Sequence, residues 1–554
     1  MCGIWAIFGT EDCVSAQCYS CLQIAHRGPD SFRIENIPQW SNCAFGFHRL
    51  AIVDGVYGMQ PLRLHSLPQL WLCYNGELYN HKVVGDAFDF KYETFMDGES
   101  ALHLYQKGGA EFTAQHLDGV FAMVLLDTER QQVHLLRDSF GVRPMFRAIT
   151  ESGVLAVCSE AKGLKDIVYK NGSRPTIKPF PPGHYASYQI MKNGTVELIE
   201  EKRFHSIGKT PIYKTLVLPD PMSDVYKNIQ DLLTAAVRKR LMSERRIGCM
   251  LSGGLDSSLI SALVMKLAKE EGFTYPIQTF ATGMVGSPDI VAAKQVADHI
   301  GSEHHEVLFT PEEGLACLDK LIFHLETYDI TTIRASVGMY LLSKYISEST
   351  DSIVIFSGEG ADEVAQGYLY FHKAPSPEEA DTEARRLLND LHFFDVLRAD
   401  RTTAANGLEL RVPFLDHRFT SYVLSLPAEE RRPQKGVEKH LLRKSFDGMD
   451  LLPHDILWRR KEAFSDGVSS QKKAWFEILQ EHVESQVSDE DFAAAPLAYP
   501  FNPPTSKEAY YYRQIFERHF PGQSAWIPYY WMPKWSKTSD PSARTLEHYK
   551  EESS

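Results

Sequence analysis

A cysteine stands at position 2, in Met1-Cys2-Gly3-Ile4, so removing the initiator methionine would give one residue both a thiol and a free α-amine. An α-amine titrates near ~7.7–8.0 and a free thiol near about 8.5, so proton transfer between them is nearly balanced. Such a residue is a nucleophile that carries its own base. If it attacks an amide, the site also needs donors for the developing oxyanion. Asn75-Gly76-Glu77 follows the apolar run Leu70 to Tyr74, where an Asn side chain and a Gly backbone N–H could converge. Taken alone, Asn-Gly after a strand reads as a hairpin turn. Arg49, within His48-Arg49-Leu50, has the forked donors that clamp a carboxylate, and Glu77 and Asp97 could hold an α-ammonium. A surface ion pair is the alternative for each.

A second group of residues has a different chemistry. Ser252-Gly253-Gly254-Leu255-Asp256-Ser257-Ser258 follows the apolar run Ile247 to Leu251 and precedes a helical pattern. At such a junction backbone N–H groups and the helix N-terminus make a phosphate cradle. The Lys that follows the last Gly of a P-loop is missing, so hydroxyls surround the phosphate and Asp256 is poised to hold Mg²⁺. Ser357-Gly358-Glu359-Gly360-Ala361-Asp362-Glu363 follows Ile353 to Phe356 in the same way, with Asp362 as a second metal ligand opposite Asp256. An acid-rich helix N-terminus explains Glu363 but not the whole loop.

Two kinds of element must position these residues. Up to about residue 205, short apolar runs (Ile4 to Phe8, Cys43 to Phe47, Leu70 to Tyr74, Val120 to Leu126, Val133 to Leu136, Val154 to Cys158) are broken by Gly, Asn and Asp at hairpin-like spacing. Beyond a Pro-rich stretch from Thr210 to Met222 the rhythm becomes strand, loop, helix, which predicts a parallel sheet with crossover helices; after about 370 the chain reads as mostly helical. The domains are expected at 2–205 and 226–540, with a linker at 206–225 and a flexible tail at 541–554.

Composition narrows the function classes. The 554 residues carry 58 Lys plus Arg against 72 Asp plus Glu, a formal net charge of −14, with no basic patch to offset it, which argues against nucleic-acid or anionic-membrane binding. No signal core and no apolar run of ~20 residues is present, so the cytosol is the expected location. Nine scattered cysteines fit reduced thiols. Cys18-Tyr19-Ser20-Cys21 has zinc-like spacing but no second ligand pair nearby, so structural thiols are expected there.

Six ordered motifs of the first domain resemble the N-terminal-nucleophile glutamine amidotransferases: Met1 to Ile4, His26-Arg27-Gly28-Pro29-Asp30, His48 to Leu50, Tyr74 to Glu77, Leu117-Asp118-Gly119-Val120-Phe121-Ala122, and Arg137-Asp138-Ser139-Phe140-Gly141-Val142-Arg143-Pro144. The resemblance implies a four-layer α/β/β/α sandwich that hydrolyses glutamine through a γ-glutamyl thioester on Cys2. Asn75 and Gly76 would form the oxyanion hole, and Arg49, Leu50, Val53, Asn75, Gly76, Glu77 and Asp97 would bind glutamine.

The two Ser/Gly loops resemble the ATP pyrophosphatases, which implies a doubly wound parallel sheet and adenylation rather than phosphorylation. With Glu326-Thr327-Tyr328-Asp329, Thr331-Thr332-Ile333-Arg334, Arg411-Val412-Pro413-Phe414-Leu415-Asp416 and Arg460-Lys461-Glu462-Ala463-Phe464, the whole chain is similar to the animal-type glutamine-hydrolysing asparagine synthetases. That resemblance implies the substrates glutamine, aspartate and ATP, Mg²⁺ on Asp256 and Asp362, a β-aspartyl-AMP intermediate, an ammonia route between the sites, and a homodimer. It assigns ATP to Leu251, Ser252, Gly253, Gly254, Leu255, Asp256, Ser257, Ser258, Thr282, Ser357 and Gly358. Glu359 would form and consume the adenylate, and Lys461 and Arg334 would stand near phosphate and the acyl-adenylate. One departure is Ala361, where the family usually has Ser. The alternatives are an amidotransferase for another acceptor, a β-lactam-forming relative, which would not need Cys2, and a catalytically silent homologue.

Overall fold

The apolar runs of the first two hundred residues become strands β1 (Gly3–Phe8), β2 (Ser31–Ile37), β3 (Trp40–Arg49), β4 (Leu70–Leu78), β5 (Gly119–Asp127), β6 (Gln132–Arg137), β7 (Phe146–Ile149), β8 (Leu155–Cys158), β9 (Ile177–Pro179), β10 (His184–Ile190) and β11 (Val196–Arg203). The structure is a computed structural model that describes all residues except 11–13, 56, 168–175, 210, 212–222, 462–466, 470–472 and 544–554. Most of the Pro-rich stretch expected as a linker, and Glu462 to Phe464, lie outside the described residues. The chain divides into two units: Met1–Val217 with Met242–Arg245 and Gly407–Glu409, and the remainder.

In the first unit two antiparallel sheets form, in the orders β2-β3-β1-β8-β7-β9 and β11-β10-β6-β5-β4. Alternation places Ile4, Ala6 and Phe8 of β1 and Phe45 and Phe47 of β3 against Cys73, Ala122, Val124 and Leu135 of the second sheet, in one buried cluster. Burying these faces against each other removes the largest apolar surface of the unit from water. The outer face of the second sheet, with Leu72, Phe121 and Met123, packs on the helix Glu99–His116 through Leu102 and Tyr105. Among the described residues the outer face of the first sheet is covered by short helical turns: Trp5 Nε1 donates to the Gly163 carbonyl at 3.1 Å, and Cys21 sits so close to Gly46 that a Cβ there would meet its sulfur at 2.5 Å. The expected sandwich therefore has one layer of full helix and one of short helical turns.

Reading Asn75-Gly76 as a hairpin turn is wrong. Strand β4 runs on to Leu78, with Asn75 opposite Ala122, Gly76 opposite Phe121 and Glu77 opposite Val120. Gly76 holds φ 149°, and a Cβ there would lie 1.9 Å from the Val120 carbonyl oxygen. The dipeptide is thus a site where only glycine lets two strands pair, inside a sheet.

The second unit is built on strands β12 (Arg246–Met250), β13 (Gln278–Gly283), β14 (Glu303–Leu308), β15 (Ser352–Phe356) and β16 (Glu409–Arg411), in the order β14-β13-β12-β15-β16. The pairs β12–β13, β13–β14 and β12–β15 are parallel. Helices Leu255–Glu270, Pro288–Ile300 and Ile330–Ser349 connect them. From β12 the chain steps outward to β13 and β14 and then returns to β15 on the other side. The switch point of the sheet thus falls between β12 and β15, where open α/β sheets bind ligands. Strand β16 and the strands β2, β7, β9, β10 and β11 carried no clear apolar run. Helices dominate the chain after residue 370, as the sequence indicated. Pro541 and Ser542, expected in the flexible tail, are buried. No helix among the described residues is long and apolar enough to cross a membrane.

Gly76→Ala tests the strand geometry. Its backbone conformation and the carbonyl contact should cost about 2–4 kcal/mol or prevent folding of the first unit, read as a lowered midpoint in chemical denaturation.

Candidate active sites

In the first unit a pocket is lined by Cys2, Arg49, Leu50, Ile52, Val53, Gly58, Gln60, Tyr74, Gly76, Glu77, Met96, Asp97 and Glu409. It brings together Cys2 and every residue predicted for glutamine except Asn75, whose amide nitrogen and oxygen are both buried without a protein partner beside it. An orphaned buried amide is costly, and a ligand that pairs with it repays that cost. The Leu50 N–H donates to Cys2 Sγ at 3.4 Å. Burial pushes the Cys2 thiol up, although the N-terminal charge and that N–H oppose the shift. Burial also lowers the Met1 amine to about 6.

The binding side chains are held by backbone. Arg49 donates to the carbonyls of Gly55 at 3.1 Å and Asp54 at 2.5 Å. Asp97 accepts from Tyr74 Oη at 2.7 Å and from the Leu78 N–H at 2.5 Å. Burial nonetheless pushes the Asp97 carboxyl up, so a cation in the pocket would favour its charged form. Ile52, Gly58, Gln60, Met96 and Glu409 were not singled out from sequence. Gln60 accepts from the Tyr74 N–H at 2.6 Å, a tertiary contact that no local pattern announces.

In the second unit the two Ser/Gly loops face each other across the switch point. A Cβ on Gly358 would lie 2.7 Å from Ser257 N and 2.8 Å from the Asp256 carbonyl carbon, so the loops touch backbone to backbone. Ser252 and Ser257 hydroxyls lie 2.9 Å apart, and the Ser252 N–H donates to Ser257 Oγ at 3.1 Å. The cleft between the loops is lined by Leu251, Ser252, Gly254, Leu255, Asp256, Ser257, Thr282, Ser357, Gly358, Glu359, Asp362 and Lys461 of the predicted set. Gly253 and Ser258 do not line it. Gly253 instead turns the loop at φ 74°, with Ala293 N 2.5 Å from where its Cβ would be, and Ser258 is wholly buried.

Charge in the cleft is closely matched. Lys439 lies 2.5 Å from both Asp256 and Asp362, and Lys461 lies 2.7 Å from Asp362. Burial would raise the Asp362 carboxyl, but the two ammonium groups outweigh it and hold it well below the usual range. Lys461 is moved the other way: burial lowers it, and Asp362 and Asp256 more than compensate. Glu359 is different. Burial raises its carboxyl to about 7 against the pull of Arg398, whose Nη2 is 2.8 Å away, with Asp395 and Asp362 pushing it further up.

Lys439, Arg398, Asp395 and Tyr368 were missed in the sequence. Lys439 occupies the N-cap of the helix His440–Phe446 at φ 55°. A cation at a helix N-terminus in a left-handed conformation is unfavourable on both counts, and the ion pairs with Asp256 and Asp362 offset that cost. Neither fact can be read from a lone Glu-Lys-His.

Arg334 does not line the cleft. On the helix Ile330–Ser349 it is Thr331, Ala335, Met339 and Leu342 that face it. At about 100° per residue Arg334 is turned off that face. Its Nε and Nη2 donate to Glu508 at 2.8 and 2.6 Å, and Nη1 and Nη2 donate to Asp540 at 2.8 Å each. The expected place beside an acyl-adenylate is therefore corrected: four of the five N–H donors of this guanidinium are already used. Ala361 is buried at the start of its short helix, and nothing around it explains the missing hydroxyl.

An N-terminal-nucleophile pocket in one unit and a nucleotide cleft at a parallel-sheet switch point in the other define a two-domain amidotransferase with an ATP-using synthetase domain. Comparison with known proteins agrees. The glutamine amidotransferase domain model matches residues 1–197, and the asparagine synthase model matches 228–390 and 375–546. The chain is 60% identical over 556 residues to asparagine synthetase [glutamine-hydrolyzing] of Gallus gallus and 60% identical over 558 residues to that of Homo sapiens, covering 99% of both chains in each case. The chain belongs to the glutamine-hydrolysing asparagine synthetase family.

Lys439→Met removes the nearer of the two cations that reach both Asp256 and Asp362 and leaves only Lys461 between them. Both carboxylates are partly exposed, so the expected loss of stability is about 1–3 kcal/mol. In steady-state assays kcat/KM for ATP should fall at least tenfold while glutamine hydrolysis is unchanged.

Proposed function

We propose that this chain makes L-asparagine from L-aspartate, ATP and glutamine, through Cys2 in the first unit and a β-aspartyl-AMP intermediate in the second. After loss of Met1, the α-amine of Cys2 takes the thiol proton, and the thiolate attacks the side-chain carbonyl carbon of glutamine. The oxyanion is met by the Asn75 amide and the Gly76 N–H, which explains an Asn side chain buried with no protein partner. The protonated amine then gives its proton to the leaving nitrogen, so that ammonia departs, and water hydrolyses the γ-glutamyl thioester to glutamate. Arg49 binds the glutamine α-carboxylate and Glu77 and Asp97 its ammonium; Leu50 and Val53 line the pocket.

In the cleft, Ser252, Gly254, Ser257 and Ser357 hold phosphate oxygens, and Lys439 and Lys461 offset the charge of the leaving pyrophosphate. An oxygen of the aspartate β-carboxylate attacks the α-phosphorus, and the bond to the bridging oxygen of pyrophosphate breaks. Ammonia from the first site then attacks the acyl carbon, Glu359 takes a proton, and AMP leaves. Asp256 and Asp362, two hard oxygen donors facing each other across the loops, would hold a Mg²⁺, which when bound would neutralise phosphate charge. Among the described residues no cluster of three or more His, Cys, Asp or Glu is placed to hold a metal without substrate. A homodimer in the cytosol is part of this reading, supported by the family resemblance.

The observation that carries the reading is the placement of Glu359. It lines the cleft from the second Ser/Gly loop, opposite the first, with its carboxyl raised to about 7, where a base can be ready at neutral pH. Incubation with glutamine, aspartate and ATP·Mg²⁺ should yield asparagine, AMP and pyrophosphate, identified by mass spectrometry; ADP as the nucleotide product would refute adenylation. Cys2→Ala should abolish glutamine use and leave synthesis from added ammonia within about twofold. Retained Met1 should give the same pattern.

The pH dependence follows from the base role. Glu359 acts as its carboxylate, so glutamine-dependent synthesis should rise with pH through a midpoint near 7. Glu359→Gln should lose that limb along with at least a hundredfold in rate.

A further inference from the structure

We infer that Arg334 and Asp540 are positioning residues, which together fix the segment 538–543 as a wall of the synthetase cleft. This rests on the reading of that cleft as the aspartate-adenylating site.

The arrangement starts from a buried cation. Arg334 is only 3% exposed, and its guanidinium is gripped by two carboxylates, Glu508 of the helix Lys507–His519 and Asp540 near the chain end. A ring contact with Phe476, 5.5 Å from the guanidinium carbon, closes one side. Glu508 alone balances the charge, so Asp540 is not needed for neutrality. Asp540 adds a fixed point for an otherwise extended piece of chain.

Asp540 uses every part of itself to hold that chain. Its Oδ1 accepts from the Ser542 N–H at 2.8 Å, and its Oδ2 accepts from Gln480 Nε2 at 2.9 Å. Its own N–H donates to Thr538 Oγ1 at 3.1 Å, and the Thr538 hydroxyl is 2.9 Å from its carbonyl. The residues so fixed, Pro541 and Ala543, line the cleft beside Trp531 and Pro533. Trp531 is tied in turn to Asp329, whose Oδ1 accepts its N–H at 2.8 Å. Asp329 caps the same helix that carries Arg334. One helix thus presents Thr331, Ala335 and Met339 to the cleft and, from its flank, anchors the opposing apolar wall. Such a wall excludes water from an acyl-adenylate that water would otherwise hydrolyse.

The test uses the full-length enzyme and its aspartate-dependent exchange of pyrophosphate into ATP, with glutaminase activity as a control on the first unit. Asp540→Asn should raise KM for aspartate about tenfold or more, with kcat reduced less than threefold, and increase hydrolysis of the adenylate, seen as AMP formed without asparagine. Asp540→Glu, which keeps the charge, should recover most of the lost kcat/KM. A chain ending at Lys537 provides a second variant if Asp540→Asn folds poorly, and should show the same defect with glutaminase intact. A KM for aspartate within twofold of the unaltered enzyme in either folded variant would overturn the proposal, as would Asp540→Glu performing no better than Asp540→Asn. If the unaltered enzyme catalyses no aspartate-dependent exchange, the adenylation reading fails and this proposal falls with it.

Discussion

Asp256 and Asp362 meet in a partly buried cleft where like charges repel, and the second unit is organised around that conflict. Asp256 and Asp362 arrive on separate loops from strands β12 and β15, and the loops are pressed together until the backbone of Ser257 meets Gly358. The arrangement is stable because Lys439 and Lys461 reach both acids. Take the lysines away and two acids face each other in a partly buried cleft, where charge is expensive. Glycine at 358 is required by the same closeness. The order of connection reverses between the parallel strands β12 and β15, which brings the two loops to one point at the same end of the sheet.

Charge compensation also separates the roles of neighbouring acids. Asp362, flanked by two cations, stays ionised, whereas Glu359, three residues earlier, faces one guanidinium and two further carboxylates and titrates near 7. Two acids of opposite protonation tendency can therefore share one short loop. Asp97 in the first unit follows the same rule: burial lifts it, and a bound cation would restore it.

Much of the first site was legible because its chemistry is local. Cys2, Arg49, Gly76 and Glu77 lie in short contiguous motifs, and the structure gathers them in one pocket with the unpartnered Asn75 amide among the same strand residues. The environment of Asn75-Gly76 was not legible. The dipeptide has the composition of a turn, and only pairing with β5, where Gly76 leaves room for the Val120 carbonyl, makes it a strand interior. The strands of polar, exposed pattern, β2 and β11, were missed for a related reason. Their stability comes from the neighbour they pair with, not from an apolar run of their own.

By itself the sequence determined the two-domain division, the α/β character of each domain, and the two loops that meet at the cleft of the second unit, because each is encoded in contiguous residues with a fixed local geometry. Tertiary structure alone decided which cations serve those loops and where the long side chains go. Lys439 reaches Asp256 from 183 residues away, and Arg398 reaches Glu359 from 39 residues away. Arg334 has a neighbour, Ala335, that faces the cleft, yet its own charge is spent on Glu508 and Asp540. A helix gives each residue a direction about 100° from the last, and what waits in that direction is set by distant chain.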